Sequence, residues 1–155
     1  MMKVENLISC MHQKDASIAF RSNIKSDCIV VNQCDTNSIS EHAYTNETNE
    51  PHCVKFISTT ERGLSRSRNM AIKNATGDIC IIMDDDETLE NNYIETVTKA
   101  YTDYPDADVI AFKVRNSEKT YAEKPKKLGC LGVLRVASYE ITFKRQAIID
   151  KQISF

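Results

Sequence analysis

Tryptophan is absent from this 155-residue chain, glycine occurs four times and proline three. That scarcity excludes collagen-like and Gly/Pro-rich disordered classes. Long apolar runs are missing too. The most apolar stretch, residues 79–83, falls far short of the roughly 20 residues a bilayer-spanning helix needs. Nothing in the opening residues reads as a basic-then-apolar leader. Neither sign of charge dominates, with 20 Lys+Arg against 22 Asp+Glu and a net charge of −2. The electrostatic footprint of a duplex nucleic-acid binder is therefore lacking. What is present, 41% hydrophobic and 27% charged residues, suits one folded domain over residues 1–155.

The six cysteines include no C-x-x-C pair, so neither a zinc knuckle nor a thioredoxin-like site is indicated. Cys28 and Cys80 sit inside apolar runs, where a free thiol behaves as a small buried hydrophobe. The expectation is a reduced, cytoplasmic protein. The sequons Asn46-Glu47-Thr48 and Asn74-Ala75-Thr76 are then chance matches.

Short apolar runs alternate with helical spacings. Strands are predicted over residues 4–9, 27–32, 54–57, 79–83, 108–115 and 139–144. Helices are predicted over residues 15–24, 64–75 and 89–101, and a helical start over 146–153. The helix over 15–24 places Ala16, Ala19, Phe20 and Ile24 on one stripe. The helix over 64–75 turns Leu64, Arg68, Ala71, Ile72 and Ala75 inward, and Gly77 stands where a left-handed stop residue belongs. Residues 34–51 are polar and read as a long loop, and 117–127 as a charged one. Such alternation implies an α/β fold, a mostly parallel sheet flanked by helices, with 79–83 central.

The strand over 79–83 runs straight into Asp84-Asp85-Asp86-Glu87. Adjacent like charges are unfavourable unless a cation or hydrogen-bond donors compensate. Open parallel sheets bind ligands beyond the carboxyl ends of their strands, where these carboxylates fall. Alternation points Asp84 and Asp86 the same way, which suits Mg²⁺ or Mn²⁺ completed by water and phosphate oxygens. A solvated acidic turn at a helix start fits the same residues. Arg68, on a stripe that should face the sheet, either meets a nucleotide there or forms a structural ion pair with an Asp.

The motifs Glu61-Arg62-Gly63-Leu64-Ser65-Arg66-Ser67-Arg68-Asn69-Met70-Ala71-Ile72, Ala75-Thr76-Gly77-Asp78 and Ile81-Ile82-Met83-Asp84-Asp85-Asp86, in that order, closely resemble glycosyltransferase family 2. The resemblance implies a GT-A-type, Rossmann-like nucleotide-sugar-binding domain, C-terminally truncated, its acceptor-binding half absent or incomplete. It implies a divalent cation, Mg or Mn, on Asp84 and Asp86, and a nucleotide sugar held by Cys10, Met11, Asn32, Gln33, Asp35, Arg68, Asp84 and Asp85. His12 is placed to pack against the base or ribose. Two segments depart from the family pattern. Ser9-Cys10-Met11-His12 stands where Pro-x-(Tyr/Phe)-Asn is usual, and Asn32-Gln33-Cys34-Asp35 where Asp-Asp-Gly-Ser is usual. Amides thus replace the carboxylates expected to grip the base. The family's general base belongs to a segment beyond Phe155, and Glu140 and Asp150 stand in no matching motif.

The implied reaction is inverting, metal-dependent transfer of a sugar from a nucleotide sugar, UDP-linked by preference, to a hydroxyl of a glycan or lipid-linked acceptor in polysaccharide biosynthesis. Without the base segment, this chain is expected to be weak or inactive. A cytoplasmic location, with peripheral contact at the inner membrane face as one option and a homo-oligomer as another, completes the expectation. A non-catalytic nucleotide-sugar-binding module is the alternative of a different class. A nucleotidyltransferase would need a Gly-rich loop near the first strand, and residues 9–14 hold no glycine.

Overall fold

The computed structural model describes residues 2–46, 49–115 and 117–155; Met1, Asn116, and Glu47 and Thr48 of the first sequon lie outside them. Four strands form the parallel centre of the sheet: β1 (Val4–Met11), β2 (Asp27–Gln33), β4 (Pro51–Thr59) and β5 (Ile79–Asp84). β3 (Ser38–Thr45), β6 (Val109–Ala111) and β7 (Ile141–Lys144) complete it antiparallel, giving a seven-stranded mixed sheet in the order β3-β4-β2-β1-β5-β7-β6. The helices are α1 (Ser17–Arg21), α2 (Leu64–Asn74), α3 (Tyr93–Asp103), α4 (Cys130–Val133) and α5 (Arg145–Asp150), with a 3-10 turn at Ser138–Glu140.

Alternation along the central strands feeds two cores. Val4, Ile8, Val30, Ile79, Ile81 and Met83 pack with Ile18 of α1 and with Tyr93, Val97 and Tyr101 of α3. Leu7, Ile29, Val31, Cys80 and Ile82 pack with Ala71 and Ile72 of α2 and Ile148 of α5. Both faces of β5 are therefore covered, which is why its sequence is an unbroken apolar run.

Several expected elements change shape. Residues 38–45 form a strand, not a loop: nearly every β3 side chain is exposed, so the strand is held by its ladder to β4 and carries no alternation. α1 is only five residues long, and Phe20 faces outward, edge-on to Tyr44 at 5.4 Å, while Ile18 takes the buried position. α3 begins at Tyr93 instead of 89, with Leu89 still packed on the core. The strand expected over 108–115 contracts to Val109–Ala111 at the sheet edge. Leu64, expected to turn inward, is 47% exposed.

Gly77 does not adopt a left-handed conformation; the positive-φ glycine is Gly63, at 122°. Gly77 is required for another reason. A Cβ there would lie 2.6 Å from the Cβ of Glu5. That close approach lets Glu5 Oε2 accept from the N–H groups of Thr76 and Gly77, each at 2.6 Å.

Candidate functional site

The register of the parallel strands brings one set of ends together. Ser9 pairs with Asp84, Cys10 with Asn32, Met11 with Gln33, and Gln33 with Thr59. Cys10, Met11, Asn32, Gln33 and Asp84 thus share one rim, and α2 crosses it with Arg68.

Arg68 is buried, with 9% of its side chain exposed. It reaches Asp84 Oδ1 at 3.0 Å, and the Asp84 side chain remains 33% exposed. The same Nη2 donates to Ser138 Oγ at 2.9 Å, and the guanidinium lies 5.8 Å from the Phe155 ring centre. Its Nε is buried without a partner, an unfavourable state that a bound acceptor group would relieve. Asn69, next on the helix, brackets the Phe155 backbone: its Oδ1 accepts from the Phe155 N–H at 2.9 Å and its Nδ2 donates to the carbonyl at 3.2 Å. One residue before Arg68, Ser67 donates to Ser9 Oγ at 2.7 Å and ties α2 to β1.

The acidic run closes into a turn in which the Asp84 N–H donates to Glu87 Oε2 at 3.0 Å. Asp85 and Asp86 are exposed, while Glu87 is half-buried. Burial pushes the Glu87 carboxyl up to about 7, and the charges of Asp84 and Asp86 push in the same direction. The arrangement concentrates negative charge where protein donors are few. Among the described residues no three His, Cys, Asp or Glu side chains converge as a metal cage. Two carboxylates at most are on offer, which fits a hard octahedral cation that retains water and phosphate oxygens, and does not fit a zinc site.

The amides of the second strand are engaged with backbone. Asn32 Oδ1 accepts from the Gln13 N–H and its Nδ2 donates to the Gln13 carbonyl, both at 2.9 Å. Gln33 Oε1 accepts from the Gly63 N–H at 2.6 Å. These two buried side chains fix the loops on either side of the rim. Cys10 is buried with its thiol 3.9 Å from Asn32 Oδ1; burial and then the charge of Asp85 push it up to about 12. Met11 is half exposed at the rim, and His12, with φ 51°, closes the strand by donating its N–H to the Gln33 carbonyl. Asp35 points into solvent and pairs with Arg62 at 2.8 Å. Sequence reasoning gave no role to Glu87, Gln13, Ser138 or Asn69. Glu87 stood in the acidic run, whereas the other three carry no local signal of their contacts.

Comparison with known proteins places the fold. TarS 1-349 from S. aureus in complex with UDP-GlcNAc superposes with a TM-score of 0.67 at 18% identity, over 99% of this chain and 48% of that one. The mannosyltransferase PcManGT from Pyrobaculum calidifontis, in complex with GDP-Man and Mn²⁺, gives 0.61 at 16% identity, over 99% and 47%. The chain thus spans about half the length of these structures, and the likeness establishes a GT-A glycosyltransferase fold. A glucosyl-dolichyl phosphate glucuronosyltransferase of Haloferax volcanii is 39% identical over 57 residues, which is 37% of this chain and 18% of that protein. Residues 9–155 match the model of glycosyl transferase family 2, so the chain belongs to that family.

Proposed function

We propose that this chain is the donor-binding part of an inverting, metal-dependent glycosyltransferase whose donor is a UDP-sugar. The observation that carries the reading is the buried Arg68 held on Asp84 at the carboxyl rim of the parallel strands, beside the exposed Asp85 and Asp86. TarS structures hold UDP-GlcNAc and UDP, and PcManGT holds GDP-Man with Mn²⁺, which supports a nucleotide sugar and a divalent cation here.

In this reading Asp84 and Asp86 hold Mg²⁺ or Mn²⁺, which when bound neutralises charge developing on the departing diphosphate. Arg68 orients Asp84 and offers its unpartnered Nε to the diphosphate side. Asp85 and Asp35 reach the donor's sugar or ribose, and Cys10 and Met11 floor the base. Asn32 and Gln33 shape the base pocket through the Gln13 and Gly63 backbone they hold. The acceptor is a hydroxyl of a glycan or lipid-linked saccharide in cell-surface polysaccharide assembly on the cytoplasmic side.

Inversion requires a carboxylate to take the acceptor proton on the face opposite the leaving group. Asp84, Asp85 and Asp86 are committed to the donor side in this reading, and Glu87 is held by the Asp84 N–H at 3.0 Å. The 155-residue chain therefore binds donor and transfers sugar weakly or not at all. Calorimetry with UDP, GDP, CDP and dTDP, each with and without Mn²⁺, tests it. UDP binding strengthened by Mn²⁺, with the increment lost in Asp86→Asn, is expected. Absence of nucleotide binding in the presence of Mn²⁺ overturns the reading, and brisk transfer by the purified chain overturns the statement about the base.

A further inference from the structure

The connection from β6 to β7 leaves and rejoins the sheet at the candidate-site end. Ala111 pairs with Ile141, and the next β7 residue, Thr142, pairs with Ile81 of β5, three residues short of Asp84. Part of this connection is apolar and uncovered. Leu131 and Leu134 are 82% and 81% exposed, and Val133 and Leu128 are exposed as well. Scattered exposed aliphatic residues are ordinary, but four within residues 128–134 are not. No residue of α4 is buried, so the leucines serve no core among the described residues.

Charge frames these side chains. Lys124, Lys126 and Lys127 precede them, Arg135 follows, and all four are exposed. Residues 124–136 contain no Asp or Glu, although the chain as a whole carries −2. Among the described residues none of the four basic groups enters an ion pair with a carboxylate. The root of the segment is fixed, since the buried Glu140 accepts from Lys119 Nζ at 2.9 Å, Tyr121 OH at 2.6 Å and the Ala137 N–H at 2.7 Å. Lys119 Nζ also donates to the Arg135 carbonyl at 3.0 Å. The apolar tip is thereby held out from the body.

We propose that residues 124–136 dock the chain on an anionic lipid bilayer. Leu128, Leu131, Val133 and Leu134 enter the boundary of the acyl chains, and Lys124, Lys126, Lys127 and Arg135 lie over the headgroup phosphates. Aliphatic residues ringed by unpaired cations match the two attractions that hold a protein at such an interface: apolar burial, and the negative surface potential. A second copy of the chain fits worse, because self-association would set four positive charges against four. The docking does not depend on nucleotide binding. Together with the donor reading, it turns the rim toward the surface from which a lipid-linked acceptor would present its hydroxyl.

Flotation with vesicles of phosphatidylglycerol and phosphatidylcholine in equal parts, against phosphatidylcholine alone, tests the proposal without nucleotide. Binding to the anionic vesicles that weakens in high salt is expected. The triple variant Lys124→Gln, Lys126→Gln, Lys127→Gln should lower partitioning on the order of a hundredfold. Leu131→Ser with Leu134→Ser should also abolish flotation, with circular dichroism and thermal midpoint unchanged because neither side chain packs inward. No flotation, equal flotation on both vesicle types, or variants that float like the parent would overturn it. So would a concentration-dependent dimer that the leucine variant makes monomeric while no vesicle is bound. UDP binding measured in parallel separates the two proposals: its absence counts against the donor site and leaves the lipid surface standing.

Discussion

Exchanging Asp84 for Asn and Arg68 for Met, singly and together, should yield an unequal cycle in the free protein. Asp84→Asn strands a guanidinium whose side chain is 9% exposed, whose Nε already lacks a partner, and which retains the Ser138 hydroxyl at 2.9 Å. Breaking a buried pair from this side costs about 3–5 kcal/mol. The Asn oxygen still accepts one hydrogen bond, so a loss near the lower end, about 3 kcal/mol, is expected. Arg68→Met is milder, because water reaches the third of Asp84 that is exposed. The charge-assisted hydrogen bond lost is worth about 1.5–3 kcal/mol, and relief of the partnerless Nε returns about 1 kcal/mol. The double variant should resemble Arg68→Met alone, leaving a coupling of about 3 kcal/mol, the whole cost of Asp84→Asn. Urea unfolding followed by circular dichroism, without nucleotide or metal, measures all four corners. Additivity within about 0.5 kcal/mol, or an Arg68→Met variant less stable than Asp84→Asn, would refute the picture of a buried cation leaning on a half-open carboxylate.

Gly77→Ala places a Cβ 2.6 Å from the Glu5 Cβ and 3.2 Å from the Lys3 carbonyl, and overpacking of this kind should lower stability by about 1–3 kcal/mol in the same urea assay. Burial alone would raise the Glu140 carboxyl, but hydrogen bonds from Tyr121, Lys119 and the Ala137 N–H hold it below the ordinary 4.5. Its stabilising contribution is thus complete above that value and is lost as pH falls through the lower folded one. Glu140→Gln should therefore be less stable at neutral pH and show a flatter acid limb in pH-dependent melting. A thiol reagent at neutral pH should label Cys34, which its hydrogen bonds to Thr36 hold below the usual range, well before Cys10 and Cys80, which burial pushes up to about 12. Mass spectrometry should then find Cys34 protected by UDP with Mn²⁺ and the exposed Cys130 protected by anionic vesicles instead. Asn32→Asp should cost about 1–3 kcal/mol, since it removes the donor to the Gln13 carbonyl and charges a buried position; an unchanged melting temperature would contradict this.

The buried centre of the fold was legible because both faces of its strands are covered. β1, β2 and β5 appear in the sequence as apolar runs, and their parallel order follows from the intervening helices. The edges were not legible for the complementary reason. β3 buries almost nothing, so its eight residues read as polar loop, and the ladder to β4 that defines it leaves no trace in side-chain type. β6 shows the opposite error. A strand over 108–115 was expected, but the ladder ends at Ala111, and Phe112 packs on the core without pairing as a strand residue. Gly77 was correctly singled out for the wrong reason: its place beside Glu5 depends on a strand more than seventy residues earlier, which no local pattern can report.

The same division runs through the candidate site. Arg68 and Asp84 were legible because a charge on an inward stripe and a charge at the end of a buried strand each demand a partner, and they supply it to one another. Asn32 was harder to read. Seen alone, it is an amide where a carboxylate is usual, with free donor and acceptor capacity for a base. In the structure its shortest bonds go to one residue, Gln13, whose N–H and carbonyl each lie 2.9 Å away, while Ser58 Oγ accepts from the amide nitrogen at 3.4 Å. A carboxylate cannot donate, so the departure at position 32 and the path of the loop at 13 belong together. On the proposed donor reading, base selectivity should follow the backbone groups and side chains of residues 11–13 more closely than the amide of Asn32 that holds them.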